Sequence, residues 1–189
     1  MSRNRTAAAL VAGLLLVGAL PVVAGAEPVN PLYRLVDTAA QRLATADPVA
    51  AAKWINGGPI TDTARAGQVL DGVGADATGH GIEASYVRSV FTDQIAATEG
   101  IEYTRFAQWK FDPPTAPVVA PDLSESRAAI DGFNKIMVDE IALHWNALHG
   151  PGCEADLQDA TGAVVNARAL DPLYRQALSS ATRSYCALG

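Results

Sequence analysis

Apolar side chains recur along this chain at the three- and four-residue intervals of a helix face. No stretch alternates with a period of two or carries the Val, Ile and Thr density of a sheet. The clearest stripe lies in 83–110, where Phe91, Ile95, Thr98, Ile101, Glu102, Phe106 and Trp109 fall on one side at about 100° per residue. Asn30-Pro31, Asp47-Pro48 and Asp171-Pro172 each put a capping side chain before a proline suited to the first helical position. Breaks fall at Asn56-Gly57-Gly58-Pro59, Gly79-His80-Gly81 and His149-Gly150-Pro151-Gly152. Pro113, Pro114, Pro117 and Pro121 predict an extended connector between two long helices. The pattern predicts helices over 31–45, 48–55, 62–78, 83–110, 123–148, 154–168 and 172–186, an all-α bundle of six to seven helices in one domain.

The N-terminus departs from this pattern. Arg3 and Arg5 precede an apolar run from Ala7 to Val23, and Ala24-Gly25-Ala26 offers small residues for a signal peptidase. Residues 1–26 are expected to be a cleaved leader and 27–189 the folded domain; the small residues at the junction weigh against an uncleaved membrane anchor. Export changes the reading of Cys153 and Cys186, the only two cysteines. In an oxidising compartment, with no Cys-x-x-Cys and no metal-ligand spacing, they predict one structural disulfide. Closing a loop of that length contributes roughly 3–4 kcal/mol in the chain-entropy model.

Fourteen Lys and Arg against twenty Asp and Glu give a net charge of −6, without a basic cluster. Nucleic acid and anionic membrane surfaces are therefore poor partners, and the basic residues must be judged by position. Several fall on apolar faces, where an unpaired charge costs several kcal/mol. Arg42 sits beside Leu35 and Ala39, Lys53 one turn after Val49, and Arg65 one turn before Val69. Arg127 shares a side with Leu123, Ile130, Met137 and Ile141; Thr98, Glu102 and Arg105 lie along the long stripe. Singly, each cation is well read as a stem covering apolar surface or half of a core ion pair. Together, polar groups turned inward from five helices predict a cavity lined by Arg42, Lys53, Arg65 and Arg127, suited to a small anion with more than one carboxylate.

These residues also carry a resemblance. Arg42, then Asp47-Pro48-Val49-Ala50-Ala51-Ala52-Lys53-Trp54, Pro59-Ile60, Asp62 and Arg65 follow in order. Phe91, Asp93-Gln94-Ile95, Ala97-Thr98-Glu99, Ile101-Glu102-Tyr103, Asp122-Leu123-Ser124, Ser126-Arg127 and Ala129-Ile130-Asp131 complete the run, with Leu173-Tyr174 and the two cysteines further on. Over nearly all of 27–189 the chain resembles the exported all-helical chorismate mutases, of type II fold. The resemblance implies rearrangement of chorismate, a dicarboxylate, to prephenate. It implies that Arg127 and Arg42 hold carboxylates with help from Arg65, that Lys53 and Glu102 contact the ether oxygen, that Thr98 binds a carboxylate, and that Asp62 and the backbone near Arg65 lie by the ring hydroxyl. It implies a homodimer, and no metal, nucleotide or redox cofactor.

One position departs from the family pattern. Val69 stands one turn after Arg65 where the family has a glutamine, and neighbouring Gln68 points about 100° away unless Gly67 distorts the helix. The loss of that amide motivates the alternative of an exported helical binding or effector protein that has lost catalysis on the same scaffold. Gly72-Val73-Gly74 has the look of a dinucleotide loop but lies in a helical pattern with no strand before it. His144 and His149, about 140° apart on a helix, do not share a metal.

Overall fold

A computed structural model describes residues 30–186; the leader expected at 1–26 lies outside the described residues. The described residues form helices α1 (Tyr33–Ala44), α2 (Ala46–Asn56), α3 (Thr63–Gly79), α4 (Ala84–Phe111), α5 (Leu123–Leu143), α6 (Trp145–Leu148), α7 (Cys153–Ala167) and α8 (Pro172–Ala181), with no strand among them. The all-α expectation holds.

Two helices organise the packing. α1 buries Leu35, Val36, Ala39 and Leu43 and packs on α5, α7 and α8. α4, about 42 Å long at 1.5 Å per residue, carries α2, α3 and α8 along its length and turns Val87, Val90, Phe91, Ala97 and Ile101 into the core. The run Ala50-Ala51-Ala52 gives α2 a face of small side chains, and Ala50 and Ala52 are fully buried. Gln94 on α4 is fully buried and donates through Nε2 to the Ala39 carbonyl at 3.1 Å, fixing the two organising helices in register.

The caps decide where several helices begin. Asp62 accepts from the Arg65 N–H at 3.0 Å, and Asp122 from the Ser124 N–H at 2.7 Å. Asp171 accepts from the Tyr174 N–H at 2.8 Å, with Pro172 at the helix start as expected. Asp47-Pro48 does not start α2. That helix begins two residues earlier at Ala46, and Asp47 binds Arg105 instead. Proline is tolerated through the whole first turn because its missing N–H would have no intrahelical partner there. Asn30 likewise does not cap α1 directly: its Oδ1 takes the Leu32 N–H at 2.9 Å and its Nδ2 donates to the Asp156 carbonyl, tying the first turn to α7.

Three further boundaries differ from the sequence reading. Pro113–Thr115 form a 3₁₀ turn rather than an extended connector, because the fixed proline φ suits that turn as well as an extended chain. The helix predicted over 123–148 breaks at His144, where the turn brings Trp145 edge-on to Tyr86, ring centroids 5.2 Å apart. The last helix ends at Ala181 rather than 186, because the chain must turn back to join Cys186 to Cys153 and to bury Tyr185 completely.

The Cys153–Cys186 disulfide forms as predicted, spanning 33 positions. It ties the start of α7 to the end of the chain, and Tyr86 of α4 donates a hydrogen bond to the Tyr185 carbonyl beside it. Reducing this bond, or the Cys186→Ser change, should lower the melting temperature by on the order of 10 °C, from the loop-closure entropy of about 3–4 kcal/mol. Circular dichroism melts with and without reductant check this; a shift under about 2 °C would show the unfolded chain already restricted by other means.

Candidate active site

The residues selected from the sequence come together in one cleft of about 120 Å³ between α1, α2, α3, α4 and α5. Arg42, Lys53, Asp62, Arg65, Val69, Thr98, Glu102 and Arg127 all line it. Between them stand Val49, Ile60, Ile95, Leu123 and Ile130, so charged heads project from an apolar wall. Where that wall buries a charged head, as at Arg42 and Glu102, displaced water strengthens its electrostatic contacts.

Lys53 and Glu102 face each other across the cleft, Nζ to Oε2 at 2.8 Å, with side-chain exposures of 17% and 3%. Local backbone fixes the lysine further. α2 ends on Gly57 in the left-handed region, φ 80°, which glycine adopts without penalty. The following turn swings the Ile60 carbonyl back to accept from Lys53 Nζ at 2.9 Å. An ammonium has three N–H donors; two are committed here and the third is left for the cleft. Burial pushes the Glu102 carboxyl above the usual carboxylate range, aided by the neighbouring Glu99 and opposed by the bond and charge of Lys53.

Arg42 is 4% exposed and meets no carboxylate within ion-pair distance among the described residues. Its partners are neutral: Nε donates to Asn134 Oδ1 at 2.7 Å, Nη1 to Thr98 Oγ1 at 3.4 Å, and the guanidinium lies 5.9 Å from the Phe91 ring centre. Burial lowers its pKa to about 10, with Arg65 adding to the fall, so the group stays charged at neutral pH. Arg127 projects from the exposed rim of α5 and also has no ion-pair partner among the described residues. Arg65 differs, since its Nη2 pairs with Asp131 Oδ1 at 2.8 Å on the solvent side.

Thr98 donates to the Gln94 carbonyl one turn back at 2.9 Å, which orients its hydroxyl oxygen toward Arg42. Asp62 spends one oxygen on the Arg65 N–H as the cap of α3. Val69 is 8% exposed and forms part of the wall. α3 runs without interruption past Gly67, and Gln68 faces a separate groove beside Asp76, Asn134 and Lys135. The amide of Gln68 therefore does not replace the one missing at Val69.

Arg105 is not part of the cleft. It turns from the stripe to hold Asp47, Nε to Oδ1 at 2.6 Å and Nη2 to Oδ2 at 3.3 Å, latching α4 onto α2. A position three residues after Glu102 lies about 60° round the helix from it, enough to reach the next neighbour. Trp54, Phe106 and Trp109 form an edge-to-face aromatic group there, with Trp54 centred 5.1 Å from Phe106 and 5.5 Å from Trp109. Conversely, the positions of charges on apolar faces do not point to Asn134 or the Ile60 carbonyl, and they give Asp131 no role. Asn134 does carry a signal: it is the one amide in the stripe of Arg127, Ile130, Met137 and Ile141.

Known proteins resemble this chain in sequence and in fold. The family model described as chorismate mutase type II matches residues 33–103. A protein named secreted chorismate mutase from Mycolicibacterium smegmatis is 57% identical over 163 residues, covering 86% of this chain and 90% of that protein. Another of the same name, from Mycobacterium tuberculosis, is 49% identical over 166 residues, 88% of this chain and 83% of its own. The crystal structure of a chorismate mutase from Burkholderia phymatum superposes with a TM-score of 0.79 at 28% identity, covering 84% of this chain and 98% of that one. With an identity of 57% sustained over most of both sequences, and the same all-helical fold, the chain belongs to the secreted chorismate mutases, a family of isomerases.

Proposed function

We propose that the cleft rearranges chorismate to prephenate, and that its catalytic power comes from holding a compact conformer and stabilising charge on the breaking ether oxygen. The observation that carries this reading is the pair of guanidiniums, Arg42 and Arg127, that line one cavity without carboxylate partners among the described residues. A substrate with two carboxylates supplies the two missing charges. Arg42 takes one with Thr98 alongside, Arg127 takes the other, and Arg65 assists from the solvent side. Asp62 and the backbone near Arg65 receive the ring hydroxyl.

The reaction is intramolecular. The ether C–O bond breaks as a C–C bond forms, and electron density collects on the oxygen without a covalent enzyme intermediate or an obligatory proton transfer. The third N–H of Lys53 meets that oxygen from one side. Glu102 meets it from the other, and it must carry a proton, since an ionised carboxylate would repel the developing charge. Burial already raises its pKa, and a dianionic substrate adds to the rise. Protonation also frees Lys53 from its ion pair, so both donors become available together.

Val69 presents methyl groups where an amide would donate. The loss is one neutral hydrogen bond, about 0.5–1.5 kcal/mol, too little to abolish a site whose cations are intact. The exported form is residues 27–189, released by cleavage after Ala26, and it assembles as a homodimer in which each cleft is complete within one chain.

Loss of chorismate's ultraviolet absorbance on adding residues 27–189, run beside Arg127→Ala, tests the reading. Saturable turnover that falls about 100-fold or more in kcat/KM in the variant is expected from removing a charge-paired group; a folded but silent wild type would sink it. Lys53→Ala should lower kcat by about 100-fold or more, on the scale of one lost oxyanion donor. A change confined to KM would remove Lys53 from that role. Because the active form of Glu102 is protonated, kcat should fall as pH rises through its raised pKa. Glu102→Gln should keep substantial activity and flatten that alkaline limb, and a Gln variant inactive at every pH would contradict the neutral-donor role.

A further inference from the structure

Helix α5 presents Arg127, Asp131 and Asn134 at i, i+4 and i+7, one stripe over two turns. Arg127 lines the cleft itself, Asp131 holds Arg65 at 2.8 Å, and Asn134 holds Arg42 at 2.7 Å. A single rigid element therefore sets all three guanidiniums. The two bonds differ in kind. Arg65 and Asp131 have side-chain exposures of 34% and 60%, so water screens the pair and lets it exchange. Asn134 and Arg42 are 8% and 4% exposed, and their bond spans 92 positions of sequence.

We propose that Asn134 is a positioning residue for the reaction: its amide oxygen orients the buried Arg42 guanidinium while leaving the full positive charge for a substrate carboxylate. The assignment rests on the reaction proposed above. With Nε committed to Asn134, the edge left for a bidentate grip is the Nη1–Nη2 edge, and only the long contact to Thr98 draws on it. A neutral acceptor is the chemically informative choice. Aspartate has nearly the same shape and would accept from Nε equally well, but in a dry pocket its charge would neutralise Arg42 and compete with the substrate. Every partner of Arg42 among the described residues is neutral, namely Asn134, Thr98 and the Phe91 ring.

Asn134→Asp separates orientation from charge, because it keeps the geometry and cancels the cation. Steady-state kinetics on chorismate at neutral pH should show KM raised by roughly tenfold or more and kcat changed by less than about threefold. The excess of that KM over the wild-type value measured at the same pH should shrink as the pH is lowered and the introduced carboxyl protonates. Asn134→Ala, which removes orientation without adding charge, should cost about tenfold or more in kcat/KM in the wild type but less than about twofold in an Arg42→Met background, where there is no guanidinium to orient. A wild-type KM for Asn134→Asp across the pH range, or additive losses in the double mutant, would overturn the assignment. Should Asn134→Asp fail to fold by circular dichroism, the Asn134→Ala cycle decides alone. A wild type that leaves chorismate unchanged in the same assay overturns the reaction, and this assignment with it; a wild type that turns over beside insensitive Asn134 variants overturns the assignment only.

Discussion

Arg42 has been taken out of water without a carboxylate to meet it among the described residues, and much of the architecture around the cleft follows from that. Such a burial costs several kcal/mol unless hydrogen bonds replace the lost hydration. Asn134 from α5 and Thr98 from α4 supply them, and the Phe91 ring adds a weak attraction to the cation. Those partners require α1, α4 and α5 to converge at one depth. The Gln94 bond to the Ala39 carbonyl and the burial of Leu35, Val36 and Leu43 hold α1 in that position. In the reaction proposed above, stability is thus spent on keeping a charge uncancelled for the substrate anion, which is the form preorganisation takes in a site with no covalent chemistry.

The second pair shows the complementary solution. Lys53 and Glu102 satisfy each other across the cleft, and a second contact of the lysine, to the Ile60 carbonyl, fixes its position. In the proposed mechanism the ion pair and the reactive state differ by one proton on Glu102. Burial favours that proton and Lys53 opposes it, so the carboxyl is balanced between two environments rather than committed to one. A glutamate is therefore chemically reasonable here, although a simple oxyanion argument would call for a permanent donor.

Much of this was legible in the sequence, for identifiable reasons. Helix count and order follow from apolar periodicity and from Asp and Gly punctuation, which act locally; Asp171 and Asp122 cap the helices they precede. The cation set was legible because a charge on an apolar face must have a partner, and that rule holds whatever the tertiary arrangement. What failed depends on distance. Asp47 looks like a cap until Arg105, 58 positions away, claims its carboxylate, and α8 stops at Ala181 because of a disulfide to α7. Asn134 is hidden for a different reason: the apolar-face rule selects charges, and the structure answers one charge with an amide.

A buried cation beside an acid is ambiguous between a core ion pair and a ligand site, because the pair explains itself. The same cation held only by neutral acceptors is not ambiguous, since no structural requirement is met by leaving a full charge uncancelled in a dry wall. Here the buried Arg42 faces Asn134 while the more exposed Arg65 faces Asp131, along a single face of α5. The contrast lies one turn apart on the same helix, and it ties an amide that carries no charge of its own to the cation that, in the proposed reaction, meets a substrate carboxylate.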